Sequence, residues 1–482
     1  MSLLRPLLRL LALILLFAGG SVLHAGRLEG GQFTALNTFG SATSPTSVTF
    51  QNAFDNVPVV VAISDQQGGN AASIRITNVT TAGFSALIIE PDNYDGPHIA
   101  QAVQYIAVEP GRHVLPDGSI IEANRVDISN IQKGPGVAGV ASWSTVNYSA
   151  PLGASVALLA QIQTANSESA NPPTTPSRPH ITAIVQNAGT ASFQLALERS
   201  QALTGPAPVT ETVGWIAMTA GGNENFPDIS GNTINWASRV NASTIRGWSN
   251  GCFTTNFGLT SAAAVVVAKK TSRNNNDGGW FRYCSQSSTT IGLRVDEDTD
   301  QDGERSVAAI DAEQPSIIAF SQPFHANLRA SLSVTKVSQN FVSDVDSNHF
   351  ALPNASYEYL ILVTNSGNAP PNMDSVEVIE QLPPGIEMFV NDVGGAFLGP
   401  VELSQGSPAS GLDADIFSSL GSTADAISFS TDGTNFNYTP APDIDGYDSA
   451  VTHFRVNPTG FLAANRGSGN PSFTLRFRAR IK

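Results

Sequence analysis

The chain has 482 residues, and its 40 acidic and 25 basic side chains give it a formal net charge of −15. This balance argues against nucleic acid and against an anionic membrane surface as partners, since both are bound through clustered Lys and Arg. The length exceeds what one hydrophobic core usually serves, and abundant Gly and Pro without sustained helical periodicity predict an all-β fold of several modules.

The first predicted element is a secretory signal at residues 1–25, cleaved after Ala25 or, as the alternative, after Gly20. Arg5 and Arg9 precede an apolar run at residues 10–17 and a group of small residues, which is the order of a signal peptide. The protein is therefore expected to be secreted or displayed at the cell surface. No later segment approaches the roughly 20 apolar residues of a membrane span, so no transmembrane anchor is expected.

A strand motif ending in Ile-Ala then recurs three times along the chain. It is found at Tyr105-Ile106-Ala107, Trp215-Ile216-Ala217 and Ile317-Ile318-Ala319. A β-branched apolar run precedes each copy, at residues 58–62, 156–160 and 263–268. The repetition predicts three antiparallel β-sandwiches at residues 26–110, 111–221 and 222–326. Residues 221–231 are predicted to link the second and third, and residues 166–179 to form a loop inside the second.

The first module resembles the H-type lectin domain. The residues that carry the resemblance are Phe50, Phe54, Pro58-Val59, Arg75, Asn78-Val79-Thr80, Gly83-Phe84 and Ile106-Ala107. The family usually has Trp where this module has Tyr105, and Trp215 restores it in the second module. The resemblance implies a six-stranded sandwich that binds sugars at the subunit boundaries of a trimer, with Arg75 as a ligand contact. Homo-oligomers, or three linked modules imitating a trimer within one chain, follow from it.

Two cysteines, Cys252 and Cys284, both lie in the third module. Buried thiols are one interpretation, but in an exported chain an even count favours a disulfide.

Between the cysteines and beyond them are two candidate ligand sites. Alternation places Trp280 and Arg282 on one face of a strand after Asp277-Gly278-Gly279; this face either stacks on a sugar or is buried core, the commoner role. Further on, Asp298, Asp300 and Asp302 alternate before Gly303 and Glu304. This pattern predicts either a calcium site or a solvated acidic hairpin loop.

A fourth unit is predicted at residues 327–482. It is similar to a repeat domain of unknown function from bacterial surface proteins, on the residues Pro353, Tyr357, Val363-Thr364-Asn365-Ser366-Gly367-Asn368 and Leu382-Pro383-Pro384-Gly385. The resemblance implies an Ig-like sandwich of the kind used in stalks and adhesins. A weaker acidic turn, Asp443-Ile444-Asp445-Gly446, offers a second calcium candidate or an Asp-Gly turn.

The sequence does not predict an enzyme. Gly247-Trp248-Ser249-Asn250-Gly251 matches a serine-hydrolase pattern, but the residues after it are typical of a strand and not of the helix that such a site requires. The leading hypothesis is an adhesive, carbohydrate-binding protein of several modules, with glycans or other cell-surface molecules as partners. The alternative is a non-binding structural component of the surface or matrix, and an unrecognised hydrolase ranks last.

Overall fold

The computed structural model describes residues 14–18, 26–35, 44–94, 98–167, 179–203, 208–259, 265–340, 353–395 and 398–482. They form strands joined by loops, with short 3-10 turns at Trp248–Asn250 and Ala309–Asp311, so the predicted all-β sandwich class is confirmed. There are two compact units. The N-terminal unit comprises Ala25–Leu115 and Ser119–Leu328, and the C-terminal unit comprises Arg329–Lys482, Pro116–Gly118 and, before residue 25, the described strand β1 (Ile14–Ala18).

The N-terminal unit contains three modules, each with two sheets. The strands of module 1 are β2 (Gly26–Ala35), β3 (Thr46–Thr49), β4 (Val59–Ser64), β5 (Ser73–Thr77), β6 (Gly83–Ile89) and β7 (Gln101–Val108). Those of module 2 are β8 (Gly111–Val114), β9 (Ile120–Ile128), β10 (Ile131–Gln132), β11 (Ser144–Asn147), β12 (Val156–Ile162), β13 (Thr182–Gln186), β14 (Ser192–Glu198) and β15 (Glu211–Thr219). Those of module 3 are β16 (Asn223–Pro227), β17 (Thr233–Val240), β18 (Phe253–Asn256), β19 (Val265–Lys270), β20 (Trp280–Gln286), β21 (Thr290–Asp296) and β22 (Pro315–Phe320), and β23 (Phe324–Leu328) follows.

The three modules close into a ring through their four-stranded sheets. The strand orders are β23-β2-β7-β4, β8-β9-β15-β12 and β16-β17-β22-β19. In each sheet the first strand comes directly after the closing strand of the preceding module, which is β22, β7 or β15. β23 pairs with β2, which lies almost 300 residues earlier in the chain. The strand that follows module 3 therefore completes the sheet of module 1.

A buried glutamate marks the same pairing in two of the modules. Glu29 on β2 lies opposite His325 on β23 and accepts a hydrogen bond from its ring Nδ1 at 2.9 Å. Glu122 on β9 lies opposite Arg112 on β8 and accepts a hydrogen bond from it at 2.9 Å. The matching register shows that β23 holds in module 1 the place that β8 holds in module 2.

The strands β4, β12 and β19 lie together at the centre of the ring. Each packs on the closing strand of a neighbouring module, β4 on β15, β12 on β22 and β19 on β7. They are buried along almost their whole length, which explains why they are continuous apolar runs and do not alternate. Side chains of the closing strands accept hydrogen bonds from two of them, Ser316 Oγ from Leu158 N (2.6 Å) and Gln104 Oε1 from Val266 N (2.7 Å).

The predicted linker at residues 221–231 contains a strand. Gly221 and Gly231 have positive φ angles and form the turns on either side of β16, while Phe226 is fully buried with its ring centroid 5.4 Å from that of Phe324. The prediction of a linker was wrong. It treated the glycines as evidence that the whole segment is irregular, whereas Gly221 and Gly231 serve only the turns on either side of β16.

The C-terminal unit is a two-sheet sandwich. Its further strands are β24 (Leu332–Asn340), β25 (Ser356–Asn365), β26 (Val376–Gln381), β27 (Ile386–Phe389), β28 (Val401–Gln405), β29 (Ile427–Ser430), β30 (Tyr447–Asp448), β31 (His453–Val456) and β32 (Ser472–Ile481). One sheet has the order β24-β25-β32-β27-β30, with β28 also on β32, and the other has the order β1-β26-β31-β29. Along β32 the apolar side chains point into the core between the two sheets, and the basic side chains lie half-exposed on the opposite face.

Two predictions about membranes and export meet the structure only in part. Within the described residues, no helix combines the length and the apolar character of a membrane span. Of the predicted signal peptide, only β1 is described, and it pairs with β26; the rest of residues 1–25 lies outside the described residues.

Candidate functional site

Two of the predicted ligand contacts, Arg75 and Arg282, are buried at junctions between modules. They occupy the third positions of β5 and β20, and each guanidinium crosses to a neighbour. Arg75 Nη2 donates to Ile181 O of module 2 at 2.9 Å, and Arg282 Nη2 donates to Gln67 O of module 1 at 2.7 Å. Arg282 also forms an ion pair with the buried carboxylate of Asp296 at 2.8 Å. These contacts join modules, and the role of both residues in binding a ligand stays a prediction.

Trp280, the third predicted ligand contact, is buried in the same way. Its indole Nε1 donates to Ala72 O of module 1 at 2.8 Å, and its ring lies 4.7 Å from that of His180 of module 2. His180 Nε2 in turn lies 3.0 Å from Ser73 Oγ. Burial and, secondarily, the Arg75 charge lower the pKa of His180 to about 3, so the imidazole is neutral. These side chains from all three modules form a tight internal contact.

An open groove lies at the surface junction of modules 3 and 1. Its volume is about 760 Å³, and its lining comprises Gln32, Phe33, Thr34, Ala102, Val103, Gln104, Tyr283, Gln286, Ser287 and Ser288. Gln104 Nε2 donates to Gln286 Oε1 across the junction at 2.6 Å. Phe33 and Tyr283 are half-buried, whereas Gln32, Thr34, Ser287 and Ser288 are exposed. Aromatic rings and neutral hydrogen-bonding groups therefore share one concave surface.

A β-bulge and a disulfide position Tyr283 in this groove. The register of β20 against β21 shifts between Tyr283 and Ser285, leaving Cys284 as the extra residue. Cys284 is bonded to Cys252, which confirms the predicted disulfide. Opposite them lies Gly292, where a Cβ would stand 2.5 Å from the Cys252 sulfur. A larger residue there would clash with the bridge.

The equivalent positions at the other two junctions differ from the groove. Gln32 pairs with Gln104 in module 1, and the equivalent register pairs are Arg125 with Gly214 in module 2 and Val240 with Ser316 in module 3. The guanidinium of Arg125 donates to Gln163 at 3.0 Å and to Val57 O at 3.0 Å. An arginine thus bridges the junction of modules 1 and 2 at the position that Gln32 occupies in the lining of the groove.

The predicted calcium residues lie on the loop after β21, and they do not all converge. Asp298 is buried, and burial raises its pKa to about 7. Asp300 accepts a hydrogen bond from Leu203 N at 2.9 Å. Asp302 and Glu304 are exposed, and their carboxylates approach that of Asp277, with ligand atoms from the three residues within 4.8 Å of one another. The structure therefore brings together two of the four predicted residues and adds Asp277.

Asp277 had a detectable signal in the sequence. It stands just before β20, and the loop with Asp302 comes just after β21. Because Trp280 pairs with Asp296, both loops meet at the same end of the hairpin. Glu297, also on this loop, is fully buried, and its Oε1 has no hydrogen-bond partner among the residues that the structure describes. Burial, followed by the charges of Glu304 and Asp277, raises the pKa of Glu297 to about 9.

The hydrolase-like pattern forms a 3-10 turn at Trp248–Asn250. Ser249 is exposed there, while Asn250 Oδ1 accepts hydrogen bonds from Gly247 N and Val307 N at 3.1 and 2.7 Å. The guanidinium carbon of Arg305 lies over the Trp248 ring, 4.1 Å from the centroid of that ring. These contacts give the motif a role in holding loops together.

The C-terminal unit has a smaller pocket of about 270 Å³, whose lining includes Phe436, Tyr438 and Arg455. The acidic turn of the C-terminal unit lies outside this pocket, and Arg480 forms ion pairs with both Asp443 and Asp445 there. This turn therefore has less uncompensated negative charge for binding a cation than the acidic loop of module 3 has.

The chain matches no family model, no curated protein and no solved structure. The resemblances to the H-type lectin domain and to the bacterial repeat domain therefore depend on the residues quoted for them.

Proposed function

We propose that this is an exported, non-enzymatic binding protein that holds neutral glycans in the groove between modules 3 and 1. The observation that supports it is the groove itself: two aromatic rings, three side-chain amides and several hydroxyls converge on one concavity that neither module forms alone. Recognition of small polar ligands requires such convergence, because a flat sandwich face offers too few contacts at once. Export is supported by the signal-like N-terminus and by the disulfide.

The lining of the groove selects the class of glycan. None of the ten lining side chains carries a charge, so a sialylated or sulfated sugar would lose water without gaining an ionic partner. Hydroxyl groups of a neutral sugar can exchange hydrogen bonds with Gln32, Thr34 and Ser287. The face of the sugar ring can pack on Tyr283 or Phe33.

A purely structural role is the second candidate function. Arg75, Trp280 and Arg282, the side chains whose types best suit a sugar, are fully engaged in contacts between modules. A rigid, tightly fastened ring is also what a stalk or matrix component requires.

A glycan array probed with the full chain distinguishes the two candidates. We expect selective binding of neutral glycans. Binding should be lost in Thr34→Trp, which fills the groove from an exposed position. It should be weakened at least about fivefold by Tyr283→Ala, since a lost aromatic contact costs about 1–3 kcal/mol. The matched control is Tyr438→Ala in the C-terminal pocket, which should leave binding unchanged. Binding that is lost in Tyr438→Ala but kept in Thr34→Trp would contradict the proposal, and no binding to any glycan would favour the structural role.

A further inference from the structure

Three carboxylates from two loops converge at one end of the β20–β21 hairpin. Asp277 belongs to the loop before β20, and Asp302 and Glu304 belong to the loop after β21. One oxygen of each lies within 4.8 Å of the others. Calcium is bound by carboxylate oxygens about 2.3–2.6 Å away, so oxygens at this separation can share one ion. We propose that Asp277, Asp302 and Glu304 form a calcium site.

A buried carboxylate beside the cluster supplies an independent argument. Glu297 has 0% exposure, and Asn275 Nδ2 donates to its Oε2 at 3.5 Å, while no group in the described part of the chain hydrogen-bonds to its Oε1. Asn275 stands two residues before Asp277, so the Glu297 carboxyl group lies beside the loop of the cluster. Burial raises its pKa, and the charges of Glu304 and Asp277 raise it further. A buried carboxyl group with an unpartnered oxygen is costly in a protein interior, and a divalent cation at the neighbouring cluster would favour its ionised form.

The protein itself does not neutralise these carboxylates. Among the described residues, none of Asp277, Asp302 and Glu304 forms an ion pair with a basic side chain. The acidic turn of the C-terminal unit is the contrasting case, because Arg480 contacts Asp443 and Asp445 there. In its described ranges, the chain therefore supplies a basic counter-charge at the C-terminal turn but not at the loop of module 3.

The position of the loop indicates what the ion would do. Thr299 Oγ1 accepts a hydrogen bond from Asn93 Nδ2 of module 1 at 2.7 Å. Asp302 Oδ2 accepts one from Gln201 Nε2 of module 2 at 3.1 Å. Calcium that fixes this loop of module 3 would therefore hold it against both other modules and stabilise the closed ring, whether or not the groove binds a glycan.

The test is calorimetric titration of the chelator-treated full chain with calcium chloride, together with thermal melts. We expect one ion per chain and, at a free calcium concentration about 100 times Kd, a rise of roughly 5 °C in the Tm of the N-terminal unit. The substitutions Asp302→Asn and Asp277→Asn each change a side chain by one atom and should reduce calcium affinity at least tenfold. Circular dichroism establishes that both variants are folded.

The matched control is Asp445→Asn, which should bind calcium as the unsubstituted chain does. Identical melting curves with calcium and with chelator would overturn the proposal, as would unchanged affinity in both Asp277→Asn and Asp302→Asn. An equal response to magnesium at the same concentration would overturn the assignment to calcium.

Discussion

At the scale of single residues, buried polar side chains hold the ring together. Arg282 donates to Asp65 O, Asn70 O and Gln67 O of module 1 and forms an ion pair with Asp296. A buried charge is tolerated only when its hydrogen bonds are satisfied in this way. The modules are therefore joined by directional contacts as well as by apolar packing, which favours one relative arrangement of the three.

His180 makes the stability of this arrangement depend on pH. Its folded-state pKa of about 3 lies below its ordinary value of 6.5 because of burial. Below pH 6.5 His180 is protonated in the unfolded chain but stays neutral in the folded chain. The free energy of unfolding therefore falls as the pH is lowered from neutral. At about pH 5 the loss should be about 2 kcal/mol.

Urea unfolding at neutral pH and at about pH 5 checks this prediction. In His180→Gln the difference between the two free energies of unfolding should shrink by about 2 kcal/mol, because the titrating group is gone. An equal pH dependence in the variant and in the unsubstituted protein would show that His180 does not contribute.

At the scale of elements, the strand that closes the ring is the most informative. β23 brings Phe324 against Phe226 of β16 and Phe320 of β22, with ring centroids 5.4 and 4.5 Å away. The strand thus continues the apolar core of module 3 while its backbone completes the sheet of module 1. Closure couples the two ends of the N-terminal unit.

The substitution Phe324→Ala should therefore weaken both modules. Truncating a buried Phe costs about 3–5 kcal/mol, and the amides of β2 should exchange with deuterium faster because β23 no longer holds that edge. Ile310→Ala, at a side chain 89% exposed, is the control and should change stability by less than about 0.5 kcal/mol. Unchanged exchange in β2 would contradict the closing role of β23.

Local sequence patterns predicted where the strands lie better than they predicted which strands pair with each other. The Ile-Ala motif and the apolar runs before it correspond to β7, β15 and β22 and to β4, β12 and β19, since periodicity reports burial directly. The pairing of β23 with β2 left no such signal, because it joins segments distant in sequence. The ligand residues show the same limit: Arg75, Trp280 and Arg282 have the side-chain types that suit a sugar, and only the tertiary structure reveals that neighbouring modules bury them.

At the scale of the molecule, the N-terminal unit arranges three covalently linked modules in a ring that the pairing of β23 with β2 closes. In each four-stranded sheet the first strand directly follows the closing strand of the preceding module, and the central strands β4, β12 and β19 are buried by their neighbours. Covalent linkage also frees the three junctions to differ. Arg125 bridges one of them, while Gln32 and Tyr283 line a groove at another.

The measurement that tests this account most directly is hydrogen–deuterium exchange of the full chain with and without the neutral glycan that it binds best on the array. The account predicts slower exchange confined to the amides of residues 32–34, 101–104 and 283–288, which come from both sides of the junction between modules 3 and 1. Slower exchange only in the C-terminal unit, or at one module without the other, would contradict it.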